Sequence, residues 1–353
     1  MCCVSGRSCV QNWSRVARAV RQTGGVRRTL SASRLGAGDE IRVIAPSRSL
    51  AIISRATREI ADARFAAAGF RLSFGEHVDH VDRFGSASVE HRVADIHAAF
   101  SDPDVKAILT AIGGYNSNQL LRYLDWDLIE ANPKIFCGHS DITALSGAIH
   151  ARTGLVTYSG PHYSTFGMRD HFEQTQRWFD AALRSQQPVV VEAARTWTDD
   201  CWYLDQDARN YRPNDGHWVL AEGRAEGRLV GGNLSTLNLL HGTEFMPDLR
   251  DAIVFVEDDS ESSIVAFDRD LTSLLQQPGF DQVRALLIGR FQLHIEMTME
   301  ILGDVIQSKR ELDGVPVIAN VDFGHTDPML TIPIGGTGTV EARDGTTTLV
   351  LCD

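Results

Sequence analysis

The stretch Leu109-Thr-Ala-Ile-Gly-Gly-Tyr-Asn-Ser-Asn-Gln-Leu-Leu121 carries an apolar run into two glycines and then a polar cluster that opens a helix. A strand, a tight turn and a helix with Ser117 at the apex is the geometry of a nucleophile elbow. It lifts a hydroxyl above the sheet edge and aims the following backbone N–H groups at a developing oxyanion. The spelling is not G-x-S-x-G, so the residues alone leave two readings, a nucleophilic Ser117 or an ordinary strand-to-helix turn. Phosphate cradling by the same glycines lacks both the G-x-x-x-x-G-K-[ST] and the G-x-G-x-x-G pattern.

A nucleophilic serine needs a base, and the chain has twelve histidines. His77, His80, His91 and His97 fall in a polar loop and a surface helix. His325 follows the apolar run Val315 to Val321 in Asp322-Phe-Gly-His-Thr-Asp-Pro328, a loop at a strand end, where catalytic groups concentrate. His139, in Gly138-His-Ser-Asp141, is its rival, and the neighbouring Asp141 reads as the N-cap of the next helix. A third group must orient the imidazole and stabilise its charged form. Glu257 emerges directly after the apolar run Ala252 to Val256 and is placed to do so, unless Glu257-Asp-Asp-Ser-Glu261 is simply a solvated acidic loop.

Positioning these groups requires sheets, and the periodicity supplies them. Strands at Ile41, Arg71–Phe74, Val105–Ile112 and Lys134–Cys137 alternate with helices at Ser54–Gly69, Ser88–Phe100, Asn118–Leu124 and Ile142–Arg152. That alternation predicts an α/β fold with a parallel sheet covered on both faces. A helix over Phe172–Ser185 leads into a polar segment, Glu192–Gly216, which reads as an inter-domain connection or active-site loop. A second α/β block with more strand content follows. The organisation expected is an Arg-rich tail over residues 1–36, a nucleophile domain over 37–170, a connecting helix and loop over 171–215, and a C-terminal domain over 216–353 carrying Glu257 and His325.

Composition bounds the function. The chain has 353 residues, 43% hydrophobic and 23% charged, with net charge −12. The first 37 residues hold seven arginines and no acid, so the remainder carries −19 and repels a phosphate backbone, arguing against nucleic acid as a partner. No apolar stretch approaches the roughly 18 residues a bilayer span needs, so no membrane partner is expected. Six scattered cysteines (Cys2, Cys3, Cys9, Cys137, Cys201, Cys352) offer no disulfide framework and no zinc-ligand spacing, which points to a reducing compartment and no metal. The tail has either transit-peptide composition, implying an organelle, or is a leader translated from too early a start. Otherwise a cytoplasmic enzyme is expected.

Taken together, Gly113-Gly-Tyr-Asn-Ser-Asn118, Gly138-His-Ser-Asp-Ile-Thr143, Gly231-Gly-Asn-Leu-Ser-Thr236, Val256-Glu-Asp258 and Asp322-Phe-Gly-His325 make the sequence resemble the LD-carboxypeptidase family of serine peptidases, from about Leu35 to the C-terminus. Within it the chain looks most like the microcin C self-immunity branch. The resemblance implies a catalytic triad of Ser117, Glu257 and His325, and an oxyanion hole of the Asn118 N–H with a backbone N–H of the Gly113-Gly114 turn, assigned to Gly114. It implies an N-terminal domain similar to class I glutamine amidotransferases, a swivelling β/β/α C-terminal domain, a homodimer, and no metal or organic cofactor. The immunity branch implies hydrolysis of an amide in a peptidyl- or aminoacyl-nucleotide conjugate, a small peptide or peptidyl-nucleotide substrate. The family's other activity is removal of the terminal D-alanine from murein tetrapeptides. Asn116 and Asn233 match substrate-contacting positions, and Asn233 also suits the N-cap of the helix at Leu234. Trp197 or Trp202 could stack on a nucleobase or simply pack between domains. Where some immunity proteins are expected to place a lysine near position 261, this chain has Glu261, which leaves room for a leaving group without a phosphate.

Overall fold

A computed structural model describes residues 28–353; most of the Arg-rich tail therefore lies outside the described residues. Five parallel strands, β1 (Glu40–Ile44), β2 (Arg71–Phe74), β3 (Val105–Thr110), β4 (Ile135–Cys137) and β5 (Thr157–Ser159), lie in the order β2-β1-β3-β4-β5. The expected strands appear in place, with β3 ending at Thr110, two residues early, because the chain turns off the sheet into the glycines. The strand order reverses between β1 and β3, and ligands of such sheets bind beyond the carboxyl ends of the strands at that switch point. The loops that follow are those of Ser47 and of Gly113 to Ser117.

The helices start where their caps dictate. Ser54 accepts from the Thr57 N–H to start α1 (Arg55–Ala67), and Ser88 accepts from the His91 N–H to start α2 (Val89–Ser101). Gly69, at φ +84°, ends the first of these as anticipated. The short helix α3 (Trp126–Ala131) precedes β4, and α4 (Thr143–Thr153) follows it. Eight of the eleven residues of α4 are buried, because it lies between the two halves of the molecule: a side chain on Gly147 would press on Leu240 and Pro247. The segment after Ser117 is a 3-10 helix over Ser117–Tyr123, not the α-helix over Asn118–Leu124 that periodicity suggested.

The second sheet has eight strands. Its centre is parallel, Gly223–Asn233, Ala252–Glu257, Ala285–Gly289 and Val317–Val321 side by side, and antiparallel strands, including Thr337–Arg343 and Thr346–Cys352, extend it. All six residues of Ala252–Glu257 are buried, as expected of a strand covered on both faces. Asn233 and Glu257 are register partners at the carboxyl ends of adjacent strands.

Two boundaries differ from the sequence reading. Ile332–Ile334, within the expected C-terminal domain, pairs antiparallel with β5 and completes the N-terminal sheet. Residues 28–36, grouped with the tail, belong to the fold. Leu30 exchanges backbone hydrogen bonds with Gly154 and Val156, the Leu35 N–H donates to the Leu183 carbonyl, and Arg34 donates to the Ala182 carbonyl and pairs with Asp353. Arginine content disguised an apolar pair, Leu30 and Leu35, that packs against the N-terminal domain. Leu35→Ala is therefore expected to lower stability by about 2 kcal/mol in urea unfolding; an unchanged midpoint would return this segment to the tail.

Candidate active site

Ser117 is fully buried at the apex after β3. The two glycines make the turn feasible by close approach: a Cβ on Gly114 would sit 2.3 Å from Ser47 Oγ, and one on Gly113 would meet the Ser140 side chain at 3.0 Å. The Asp141 carboxylate accepts the Ser117 backbone N–H at 2.9 Å and the Ser47 hydroxyl at 2.5 Å, and the Asp141 carbonyl accepts the Ser117 hydroxyl at 2.7 Å. Asp141 thus does not cap α4; the preceding turn Ser140–Ile142 is 3-10, and its carboxylate is spent gripping the elbow. Asn116 is also buried: Arg92 donates to its side-chain and main-chain oxygens at 3.0 and 3.2 Å, and its amide donates to Ser86. Arg92 and Asp141 brace the serine from both sides, and sequence reading assigned a brace to neither. The backbone N–H groups of Gly114 and Asn118 are uncommitted among the hydrogen bonds of the described residues.

Glu257 and His325 come together at the carboxyl ends of the second sheet. His325 Nδ1–H donates to Glu257 Oε2 at 2.7 Å, and Glu257 is 2% exposed. Two glycines leave the room: a Cβ on Gly289 would stand 2.8 Å from the Glu257 Cβ, and one on Gly324, whose φ is +102°, would stand 2.7 Å from its Oε2. Burial pulls the His325 imidazole down, but the Glu257 charge and hydrogen bond, with Asp259 and Asp258 beyond, outweigh it and raise the pKa to about 9. Burial, joined by the neighbouring Glu257 and Asp259 charges, pushes the Asp258 carboxyl up to about 7.

His139, the rival base, is held otherwise. Its Nδ1–H donates to the Gly160 carbonyl at 3.0 Å, no carboxylate among the described residues pairs with it, and burial beside His162 and His325 keeps it well below the ordinary imidazole range. Its ring meets His325 at 5.2 Å in an edge contact and so joins the two halves of the site. Asn233 caps the following helix, its Oδ1 accepting from the Thr236 N–H at 3.1 Å, and its own N–H donates across the domains to Thr143 Oγ1 at 2.9 Å. Trp197 lies against the Arg290 guanidinium, 4.8 Å from its ring centre, beside Thr198, whose backbone bridges Asp327 in the His325 loop. Trp202 packs against the N-terminal core. Among the described residues no His, Cys, Asp or Glu group is arranged to hold a metal ion, and no helix is long and apolar enough to cross a membrane.

The model of the LD-carboxypeptidase N-terminal domain matches residues 41–160, and that of the LD-carboxypeptidase C-terminal domain matches residues 226–340. The chain belongs to the LD-carboxypeptidase family. It is an enzyme of the serine-peptidase class, in keeping with the hydroxyl, imidazole and carboxylate just described. YocD of Bacillus subtilis (strain 168) is 50% identical over 315 residues, covering 89% of this chain and 97% of its own. The microcin C7 self-immunity protein MccF of Escherichia coli is 34% identical over 281 residues, covering 76% of this chain and 80% of MccF. The crystal structure of an MccF-like protein from Bacillus anthracis str. Ames superimposes with a TM-score of 0.91 at 49% identity, over 92% of this chain and 99% of that one. MccF in complex with glutamyl sulfamoyl guanosine superimposes at 0.83 with 30% identity, over 91% and 98%. The fold of this LD-carboxypeptidase homologue is thus the MccF-like one.

A raised folded-state pKa fixes the sign of a pH effect. The protonated His325 paired with Glu257 stabilises the fold fully below the ordinary imidazole value of about 6.5, and that contribution is lost as pH rises through about 9. The stability difference between the native chain and His325→Gln should therefore shrink by on the order of 3 kcal/mol from pH 6.5 to above 9, read by urea unfolding at each pH. A difference that stays flat or grows would contradict the pairing.

Proposed function

We propose that this LD-carboxypeptidase-family enzyme is a serine amidase that cleaves the amide joining a peptidyl or aminoacyl group to a nucleotide-like moiety, an immunity-type detoxification. Ser117, Glu257 and His325 act as the triad. The observation that carries the chemistry is the short bond from His325 Nδ1–H to a buried Glu257 carboxylate. That bond puts the proton on Nδ1, leaving Nε2 as the base.

The Ser117 hydroxyl leaves the Asp141 carbonyl and gives its proton to His325 Nε2 as Oγ attacks the substrate carbonyl. The oxyanion forms against the Gly114 and Asn118 N–H groups, which no group among the described residues competes for. The imidazolium returns the proton to the leaving nitrogen, the C–N bond breaks and an ester to Ser117 remains. Water, deprotonated by the same Nε2, then attacks the ester and frees Ser117 and the product carboxylate.

Two features favour the conjugate substrate over a murein tetrapeptide. The chain superimposes on MccF, whose solved complex holds an aminoacyl sulfamoyl nucleoside. Trp197, next to the bridge that holds the His325 loop, also lines a groove of about 820 Å³ with Trp218, Phe291, Met297 and Arg290 and offers an indole there to a base, whereas Trp202 packs against the N-terminal core. Asn233 places its amide beside Asp259, 3.5 Å away, on the rim that also carries Glu261. Such a rim repels phosphate, so the preferred leaving group carries none.

Incubation with an aminoacyl sulfamoyl nucleoside and, separately, a murein tetrapeptide, followed by mass spectrometry, is expected to show cleavage of the former. Ser117→Ala and His325→Ala should lose turnover, and Glu257→Gln should lose about 10³–10⁴-fold in kcat by mis-setting the tautomer. The kcat/KM profile should rise with pH toward the His325 value of about 9 in the free enzyme. D-alanine release alone would move the enzyme to cell-wall recycling, and full activity of either alanine variant would remove the triad.

A further inference from the structure

The mechanism leaves two buried histidines unused, and both sit between the base and the elbow. The His139 ring lies 5.2 Å from that of His325 at an interplanar angle of 66°, and His162 lies behind it at 4.1 Å. His162 is pinned by Thr110 Oγ1 at 2.7 Å, at the end of β3, and its Nε2 comes within 3.5 Å of the Cβ position of Gly113. Three imidazoles therefore form a continuous row, one edge contact and one tilted contact, from the His325 loop of the second domain to the glycine turn of the first. His139 is 8% exposed and His162 is 3% exposed, so His139 faces the cleft and His162 backs it.

The tautomer of His139 follows from its partner. A carbonyl only accepts, so the Gly160 contact places a proton on His139 Nδ1, and burial beside His162 and His325 keeps the other nitrogen unprotonated and the ring neutral. A cationic ring at this position would repel the imidazolium that His325 becomes in each half-reaction, whereas a neutral one excludes water from it at no charge cost. The other titratable groups around His325 are carboxylates: Glu257 at its strand end, Asp258 and Asp259 in the following loop, and Asp327 in its own loop. His139 and His162 are the imidazoles facing it from the N-terminal domain.

We propose that His139 is a positioning residue for His325, a neutral aromatic wall that shields the base from solvent and holds it edge-on between Glu257 and the elbow. The proposal rests on the reading of His325 as the base. An aromatic ring suffices for this role, and a second proton acceptor is not needed.

The test compares the full chain with its His139→Ala and His139→Phe variants by two readouts: NMR titration of the His325 imidazole, and the rate at which a fluorophosphonate probe labels Ser117 at neutral pH. Removing the wall admits water, which favours the charged form. His139→Ala is therefore expected to raise the His325 midpoint by about half a unit or more and to slow labelling about tenfold. His139→Phe should keep both within about twofold of the native chain, as an aromatic wall of similar shape. Unchanged values in His139→Ala overturn the proposal, and so does a His139→Phe variant as impaired as His139→Ala. If His139→Ala fails to fold by thermal melting, His139→Leu against His139→Phe makes the same comparison of bulk with ring. A native chain that resists the probe while the titration still shifts would count against the serine-amidase reading and leave the wall standing.

Discussion

A carboxylate buried at the end of an apolar strand is the constraint on which the site depends. Glu257 closes Ala252–Glu257, six residues without appreciable exposure, and its charge has been taken out of water. Such a group is tolerated only if something pairs with it. His325 supplies the partner, and the surroundings are shaped to let it: Gly289 and Gly324 remove the side chains that would otherwise occupy the carboxylate's space. One oxygen takes the imidazole proton while the other has no hydrogen-bond partner among the described residues. The arrangement concentrates the negative field on one ring nitrogen and leaves the opposite nitrogen free for the proposed reaction. The same carboxylate sets the tautomer of the imidazole, its basicity and the pH range in which the pair stabilises the fold.

Ser117, the proposed nucleophile, belongs to a different sheet, so the two sheets must be held in fixed relation. Gly232 approaches so closely that a Cβ would stand 2.4 Å from Thr143 Oγ1, and that hydroxyl also accepts the Asn233 N–H. The contact joins the strand end beside Glu257 to the first turn of α4, immediately after the Asp141 that grips Ser117. Ile332–Ile334 then crosses back to pair with β5 just beyond the His325 loop. Loop, strand and helix thereby fix the imidazole relative to the elbow. The buried residues lining the facing sides of the two sheets form one continuous apolar cluster, from Ile44 and Leu145 to Leu237 and Ile288. The Ser117 hydroxyl donates to the Asp141 carbonyl, so the proposed reaction begins with a side-chain rotation within an elbow whose backbone is already braced.

Much of this was readable from local pattern. The alternation of strands and helices, the serine caps of α1 and α2, the glycine pair before Ser117 and the position of Glu257 at a strand end all follow from periodicity and turn chemistry within short windows. What escaped depends on residues far apart in sequence. Asp141 looked like a helix cap because aspartate before a helix usually is one; its carboxylate instead reaches residues 24 and 94 positions away. Arg92 sits on the buried side of α2 and braces Asn116, a contact no helical periodicity announces. Asn116 and Asn233 resemble substrate contacts in the motif, yet both side chains carry structural hydrogen bonds here. Leu30 and Leu35 were hidden by the arginines around them, and the pairing of Ile332–Ile334 with β5 spans more than 170 residues.

In the mechanism proposed, Glu257, through His325, makes Ser117 reactive. The direct measurement is intact-protein mass spectrometry of the chain and its Ser117→Ala and Glu257→Gln variants with a fluorophosphonate probe, with the adduct mapped by peptide sequencing. A single adduct on Ser117 is expected, absent from Ser117→Ala and formed far more slowly by Glu257→Gln. An adduct elsewhere, or labelling of Glu257→Gln at the native rate, would contradict it.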